Sequence, residues 1–236
     1  MMPKAISNLE ETLGYRFGDV KLLETALTHS SYSNELRAKK CHAECNERLE
    51  FLGDSVLSII VSEYLFVEHG DLPEGELTKM RAELVCGRSL SSFAKKIGLG
   101  DYMYLGNGEE KNGGRTNDKI LENAFEALLA AIYLDSGSNK QTVASFLMPF
   151  VKEALSALIR EGHGKDYKTA LQQFVQQTEG DFLEYAVVGE SGPDHMKIFE
   201  VEARLNSNVI GRGSGRSKRE AEQAAAKQAM SLFGTM

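Results

Sequence analysis

Asn46-Glu47-Arg48-Leu49-Glu50-Phe51-Leu52-Gly53-Asp54-Ser55-Val56-Leu57 sets carboxylates among apolar residues. Glu47, Glu50 and Asp54 stand at i, i+3 and i+7, which is one face of a helix. Like charges stacked in this way destabilise a helix unless something positive sits among them. Phe51, Leu52, Val56 and Leu57 offer the same segment to a core. The helix is therefore expected to be largely buried, with acids bordering the core. A solvated acidic stripe is the plain alternative, and the apolar context weighs against it.

A second segment, Glu122-Asn123-Ala124-Phe125-Glu126-Ala127-Leu128-Leu129, places Asn123 and Glu126 at i and i+3 on another apolar helix. Oxygen donors converging from two helices suit Mg²⁺, a hard cation that prefers carboxylates and water. Such a site activates water and stabilises charge developing on phosphate. Glu122, one position before Asn123, is expected to point elsewhere on the helix.

Outward from these segments the chain keeps a helical period. Apolar residues recur at helical spacing over 22–27, 49–65, 77–97, 120–134 and 143–158. Gly, Pro and Asn punctuate joins at 70–75 and 106–117. Residues 1–160 are expected to form an all-helical domain. The charged, glycine-bearing run 161–166 is expected to be a linker. From 167 the pattern changes. A helix is expected over 167–178, strands over 185–188, 198–205 and 209–212, and an alanine-rich helix over 217–233. In the middle strand Phe199, Val201, Ala203 and Leu205 alternate with Glu200, Glu202 and Arg204. Ser217 and Glu220 have capping-box spacing. The second domain, 167–236, thus reads α-β-β-β-α, an α+β unit with helices on one face of an antiparallel sheet.

The 236 residues include 42% hydrophobic and 26% charged. Those values exclude a disordered, collagen-like or coiled-coil chain. The apolar runs 56–61 and 127–134 fall short of the about 20 residues of a membrane span. The N-terminus, with Glu10 and Glu11, lacks a signal-peptide core. Three cysteines, Cys41, Cys45 and Cys86, fit free thiols in a reducing cytoplasm. Cys41-His42-Ala43-Glu44-Cys45 has no evident fourth zinc ligand nearby. The net charge of −7 argues, taken alone, against a nucleic-acid partner.

The run around Glu47–Asp54 resembles the signature of the ribonuclease III family. Ala26-Leu27-Thr28-His29-Ser30-Ser31-Tyr32 resembles the segment before it, and Gly75-Glu76-Leu77-Thr78-Lys79-Met80-Arg81 the segment after it. Leu105-Gly106-Asn107-Gly108-Glu109-Glu110, Gly113-Gly114-Arg115 and the run 128–135 fit as well. The resemblance implies an endonuclease that cuts double-stranded RNA with Mg²⁺, for which Mn²⁺ can substitute. It implies Glu50, Asn123 and Glu126 as metal ligands, and Asp54 and Glu126 as the groups most critical for hydrolysis. Glu47 would act in or beside the site, in substrate handling or dimer geometry. Glu76 matches another family acid near the catalytic valley. At 123 the commonest family pattern has Asp. An amide oxygen still ligates Mg²⁺ but brings no charge, so either the metal site is adjusted or catalysis is impaired.

In the second half, Gly211, Gly213 and Gly215 lead toward a capped helix whose start carries Arg216, Lys218 and Arg219. Backbone N–H groups and the dipole make a helix start an anion site. The half as a whole resembles a double-stranded RNA-binding domain, through Asp166-Tyr167-Lys168-Thr169-Ala170-Leu171-Gln172-Gln173, Gly192-Pro193-Asp194-His195 and 213–226. The resemblance implies that Gln172 and Gln176 face one minor groove and His195 a second. Lys218 and Arg219 would lie over the phosphates between them. Such modules read A-form shape over about 16 base pairs. Residues 166–236 hold eight Lys/Arg against ten Asp/Glu, so recognition rests on local clustering rather than on net charge.

The resulting expectation is a two-domain endoribonuclease. Its products would carry 5′-phosphate and 3′-hydroxyl ends, and its substrates would include ribosomal RNA precursors. One signature per chain and two strands to cut imply a homodimer. Phe51 and the run 56–66 are candidate interface residues, or equally core. The alternatives are a double-stranded RNA-binding protein with a nuclease site silenced by Asn123, and a phosphohydrolase of small esters. The latter leaves residues 166–236 without a role.

Overall fold

The computed structural model describes residues 4–41, 43–160, 167–178, 180–193 and 197–233. The chain divides into two compact units, residues 1–164 and 165–236. The run expected to be a linker, 161–166, lies outside the described residues.

The first unit is helical: α1 (Ile6–Leu13), α2 (Val20–Ala26), α3 (Ser30–Ala38), α4 (Glu47–Glu68), α5 (Glu74–Leu84), α6 (Gly87–Lys96), α7 (Asn107–Lys111), α8 (Asp118–Asp135) and α9 (Lys140–Arg160). α8 is the central helix. Every residue from Ala124 to Ile132 is buried, so it has no solvent face over that span. Asn117 starts it, accepting from the backbone N–H groups of Lys119 (2.9 Å) and Ile120 (3.3 Å). α4 lies across α8 through Leu49, Gly53, Val56, Leu57 and Ile60. At the crossing a Cβ on residue 53 would overlap the backbone carbonyl of Glu126. Glycine there brings the two helix backbones into contact. Phe93, Phe125 and Phe150, from α6, α8 and α9, pack with ring centroids 5.5–6.1 Å apart.

α8 ends on a polar anchor. Asp135 accepts from the Tyr15 hydroxyl (2.7 Å) and from the backbone N–H groups of Gly18 (3.0 Å) and Asp19 (2.7 Å). Burial works against the Asp135 carboxylate, yet these donors hold its pKa below the usual value. Burial and the facing carboxylate push the Tyr15 phenol up to about 12.

Several expectations need correction. The segment 77–97 is two helices, because Cys86 is extended (φ −70°, ψ 157°) and the chain turns there. The join 106–117 contains α7 and a 3₁₀ turn, Gly114–Thr116. α1 and α3 were not expected. α9 is long and apolar enough to cross a membrane, with a mean hydropathy of 1.4. Its Val143, Leu147, Val151 and Leu155, four residues apart, are buried in the helical core.

The second unit comprises α10 (Tyr167–Val175), β1 (Leu183–Ser191), β2 (Ile198–Leu205), β3 (Asn208–Gly215) and α11 (Lys218–Leu232). The antiparallel sheet has the order β1-β2-β3. The outer strands are longer than expected, and β3 runs through the glycines. Gly211, Gly213 and Gly215 recur at period 2 on the face under α11. A Cβ at any of them would overlap α11, at Ala225, Ala225 and Ala221 respectively. These glycines let an alanine face (Ala221, Ala225, Ala226 and Ala229, all buried) rest directly on strand backbone. Gly213→Val should therefore lift α11 off the sheet, at a cost of about 3 kcal/mol or more. Urea unfolding followed in the second unit would measure that loss.

Glu202 also departs from expectation. It lies on the face opposite Val201 and Ala203, yet its side chain is only 10% exposed. Arg204 (2.8 Å) and Arg212 (2.9 Å) close over it. The Arg204 hydrogen bond, with the Arg212 charge, holds its carboxyl below the usual range.

Candidate active site and RNA-binding face

The Gly53 contact brings residues of α4 and α8 into one charge cluster. Glu126 is 8% exposed. Burial first, then the charges of Asp54, Glu50 and Glu122, push its carboxyl up to about 7, while Lys119 pulls the other way. Burial also raises Glu50; Lys119 opposes it and Glu47 and Glu122 add to it. Carboxylates that share a poorly solvated space raise one another in this way.

Asn123 belongs to the same stripe of α8. Its Oδ1 is buried and has no hydrogen-bond partner. An acceptor left bare inside a protein costs free energy unless a donor or a cation meets it. A hard oxygen donor without a partner beside crowded carboxylates fits a divalent cation such as Mg²⁺, which keeps several waters and needs few protein ligands. Among the described residues no three Asp, Glu, His or Cys converge closely enough to hold an ion by themselves. The oxygen donors expected there are two carboxylates, Glu50 and Glu126, and one amide, Asn123.

The expected residues thus separate. Glu50 and Asp54 both act on Glu126 across the crossing, and Asn123 stands on the stripe of α8 that carries Glu126. Glu47 is exposed in the first turn of α4 and acts on Glu50 from its edge. It also lines a cleft with Leu49, Phe51 and Leu52. Glu76, on α5, bonds Lys79 (2.7 Å) and is not among the main charges on Glu50 or Glu126. Glu122 was expected to point away, but it acts on both. Lys119 was not expected in the site at all. The spacing 119, 122, 123, 126 is i, i+3, i+4, i+7, and a helical wheel of α8 would have found both. His29 is the N-cap of α3, where its Nδ1 accepts from the Ser31 backbone N–H.

In the second unit Gln172 is exposed on α10, and Gln176 follows its last turn, donating its backbone N–H to Gln172 O (3.0 Å). Lys218 and Arg219 are exposed at the start of α11. Ser217 Oγ accepts from Glu220 N (3.2 Å), and Glu220 reaches back to the N–H of Arg216 (2.8 Å), one residue before the cap. Lys218 and Lys197 both stand over the Phe199 ring, at 5.8 and 5.9 Å. Lys197 was not anticipated. His195 lies outside the described residues.

A helical domain built on crossed acidic helices, followed by an α-β-β-β-α domain, is the architecture of a nuclease with its own RNA-reading module. Residues 19–151 match the family model described as ribonuclease-III-like, and residues 167–232 match the double-stranded RNA binding motif. Ribonuclease 3 of Caldanaerobacter subterraneus is 46% identical over 231 residues, covering 98% of this chain and 99% of that protein. Ribonuclease 3 of Listeria monocytogenes is 46% identical over 224 residues, covering 94% and 95%. A solved nuclease domain of ribonuclease III from Campylobacter jejuni superposes with a TM-score of 0.58 at 38% identity. It covers 64% of this chain and 98% of that one, and is described for flexibility in a region involved in dimer formation. The chain belongs to the ribonuclease III family and is an endoribonuclease of that type.

Proposed function

We propose that the chain cleaves double-stranded RNA at internal phosphodiester bonds with Mg²⁺, Mn²⁺ being able to substitute. The products carry 5′-phosphate and 3′-hydroxyl ends. Ribosomal and other RNA precursors are its substrates, and the cytoplasm is its compartment, in keeping with three free thiols. The observation that carries this reading is the buried Glu126, whose backbone rests on Gly53 and whose carboxyl feels the charges of Asp54 and Glu50.

Glu50, Asn123 and Glu126 would hold the ion. When bound, it supplies an activated water and offsets charge developing on the phosphate. Gly53 fixes the distance between the two helices and so the spacing of Glu50 and Glu126. Asp54, exposed beside Gly53, meets the arriving backbone. Glu47 works from the edge, between this cluster and the Phe51 cleft. Gln172, Gln176 and His195 contact the grooves, and Lys218 and Arg219 the phosphates. Losing either Lys218 or Arg219 should weaken duplex binding without changing sequence preference and lower the salt slope by about one. Binding measured from 50 to 300 mM salt would check this.

The active assembly is a homodimer. Phe51 is 79% exposed at the start of α4, beside a cleft of about 860 Å³ lined by Leu22, Cys45, Leu52 and Leu134. An exposed ring on the wall of a cleft that joins apolar residues to Arg37, Glu44, Glu47 and Arg48 suits an isologous contact. Light scattering should give twice the chain mass for the wild type and the chain mass for Phe51→Glu.

Long duplex RNA with Mg²⁺ tests the activity. Short duplexes with 5′-phosphates should form, EDTA should stop them, and single strands of the same sequence should survive. Duplex RNA that is bound but never cut would favour the second reading, a binding protein with a silent nuclease site, for which Asn123 is the motivating observation.

A further inference from the structure

The crossing of α4 and α8 gathers Glu50, Asp54, Glu122 and Glu126, while residue 123 contributes no charge. Such a set repels itself unless a positive group enters it. Lys119 is an ammonium that acts on both Glu50 and Glu126. It stands one turn before Asn123 and two before Glu126 on the same stripe of α8. Its Nζ donates to Glu122 Oε1 at 3.1 Å.

Each end of this pair is held differently. The Lys119 backbone is fixed by the Asn117 cap, but its side chain is 68% exposed. The ammonium can therefore swing into water without disturbing the fold. Glu122 is 21% exposed. Its carboxylate lies over Gly87, at the first turn of α6, where a Cβ would overlap it. A helix start favours a negative charge at that place. Glu122 is thus the fixed member and Lys119 the movable one.

We infer that Lys119, held by Glu122 on the stripe of α8 that also carries Asn123 and Glu126, is the resident counter-ion beside the acidic crossing: its ammonium offsets the crowded carboxylates when no divalent cation is bound, and a cation entering between Glu50 and Glu126 must work against it. Glu122 restores to the cluster the carboxylate that Asn123 lacks. Through this pair the chain sets how much Mg²⁺ its nuclease site requires. The inference rests on the proposed metal role of Glu50 and Glu126.

Mg²⁺ titrated into the metal-free full chain, without RNA and at low salt, tests it through the thermal unfolding midpoint. Lys119→Met should unfold earlier than the wild type without metal. It should reach half-saturation at a Mg²⁺ concentration on the order of threefold to tenfold lower. Lys119→Arg should restore wild-type behaviour, and 0.5 M NaCl should shrink the difference, because exposed charges are screened. Glu126→Gln should lose the Mg²⁺ response. If Lys119→Met needs the same Mg²⁺ as the wild type while Glu126→Gln has lost the response, the counter-ion role is overturned and the metal site stands. If Glu126→Gln keeps the wild-type response, the metal site itself is misplaced and the inference falls with it.

Discussion

In EDTA at pH 8, Glu126→Gln should unfold at a higher temperature than the wild type. The carboxyl of Glu126 titrates at about 7 in the fold, against an ordinary value of 4.5. A raised folded-state pKa means that the folded protein binds the extra proton. The associated stability is fully present below about pH 4.5 and is lost as pH rises through 7. Above pH 7 the wild type therefore carries a buried charge crowded by Asp54, Glu50 and Glu122, and glutamine does not. The gap should be close to zero at pH 4 and grow to at most about 3 kcal/mol at pH 8. Melting curves across that range would check it. A gap that is flat with pH, or of the opposite sign, would mean that Glu126 is not held in an unfavourable charged state. A site that costs stability in order to present charge is common where function demands it.

Gly53→Ala should be more damaging than its size suggests. The added methyl meets the Glu126 backbone carbonyl, and backbone cannot rotate away as a side chain can. α4 and α8 must separate along their whole contact, which includes the buried Val56, Leu57 and Ile60. We expect a loss of about 3 kcal/mol or more. Where the variant still folds, cleavage should fall on the order of 100-fold, since displacements near 1 Å at a catalytic site cost that much. Urea unfolding and single-turnover cleavage would measure the two losses separately. Near-wild-type stability would show that the two backbones are not in contact.

The sequence made the long elements legible because their apolar spacing is unbroken over several turns. α4 and α8 carry buried residues three and four apart and α9 carries them four apart, and a second cue supports α8, where Asn117 caps the start. The split between α5 and α6 was hidden. Residues 85 and 86 are Val and Cys, neither of which signals a turn, and the break is held by side chains that bond the Glu83 carbonyl, which accepts from Cys86 Sγ and Ser89 Oγ. α3 was hidden for a different reason: it is mostly polar and is held at its start by the His29 cap rather than by an apolar stripe. In β3 the expected strand stops at 212, before Gly213 and Gly215, because glycine weakens a strand, and only their packing under α11 explains them. The acids on α4 and Glu126 were legible from spacing. Glu122 and Lys119 were not, since judging Glu122 by its adjacency to Asn123 hid its place beside Glu126.

The central claim is that these residues form a working nuclease site with an amide at 123. Cleavage of long end-labelled duplex RNA with Mg²⁺ tests it most directly, with the wild type, Asn123→Asp and Glu126→Gln run side by side. Short duplex products from the wild type, retained in Asn123→Asp and lost in Glu126→Gln, are the predicted result. Cleavage by Asn123→Asp alone, with the wild type binding but not cutting, would contradict it and leave a double-stranded RNA-binding protein with a disabled site.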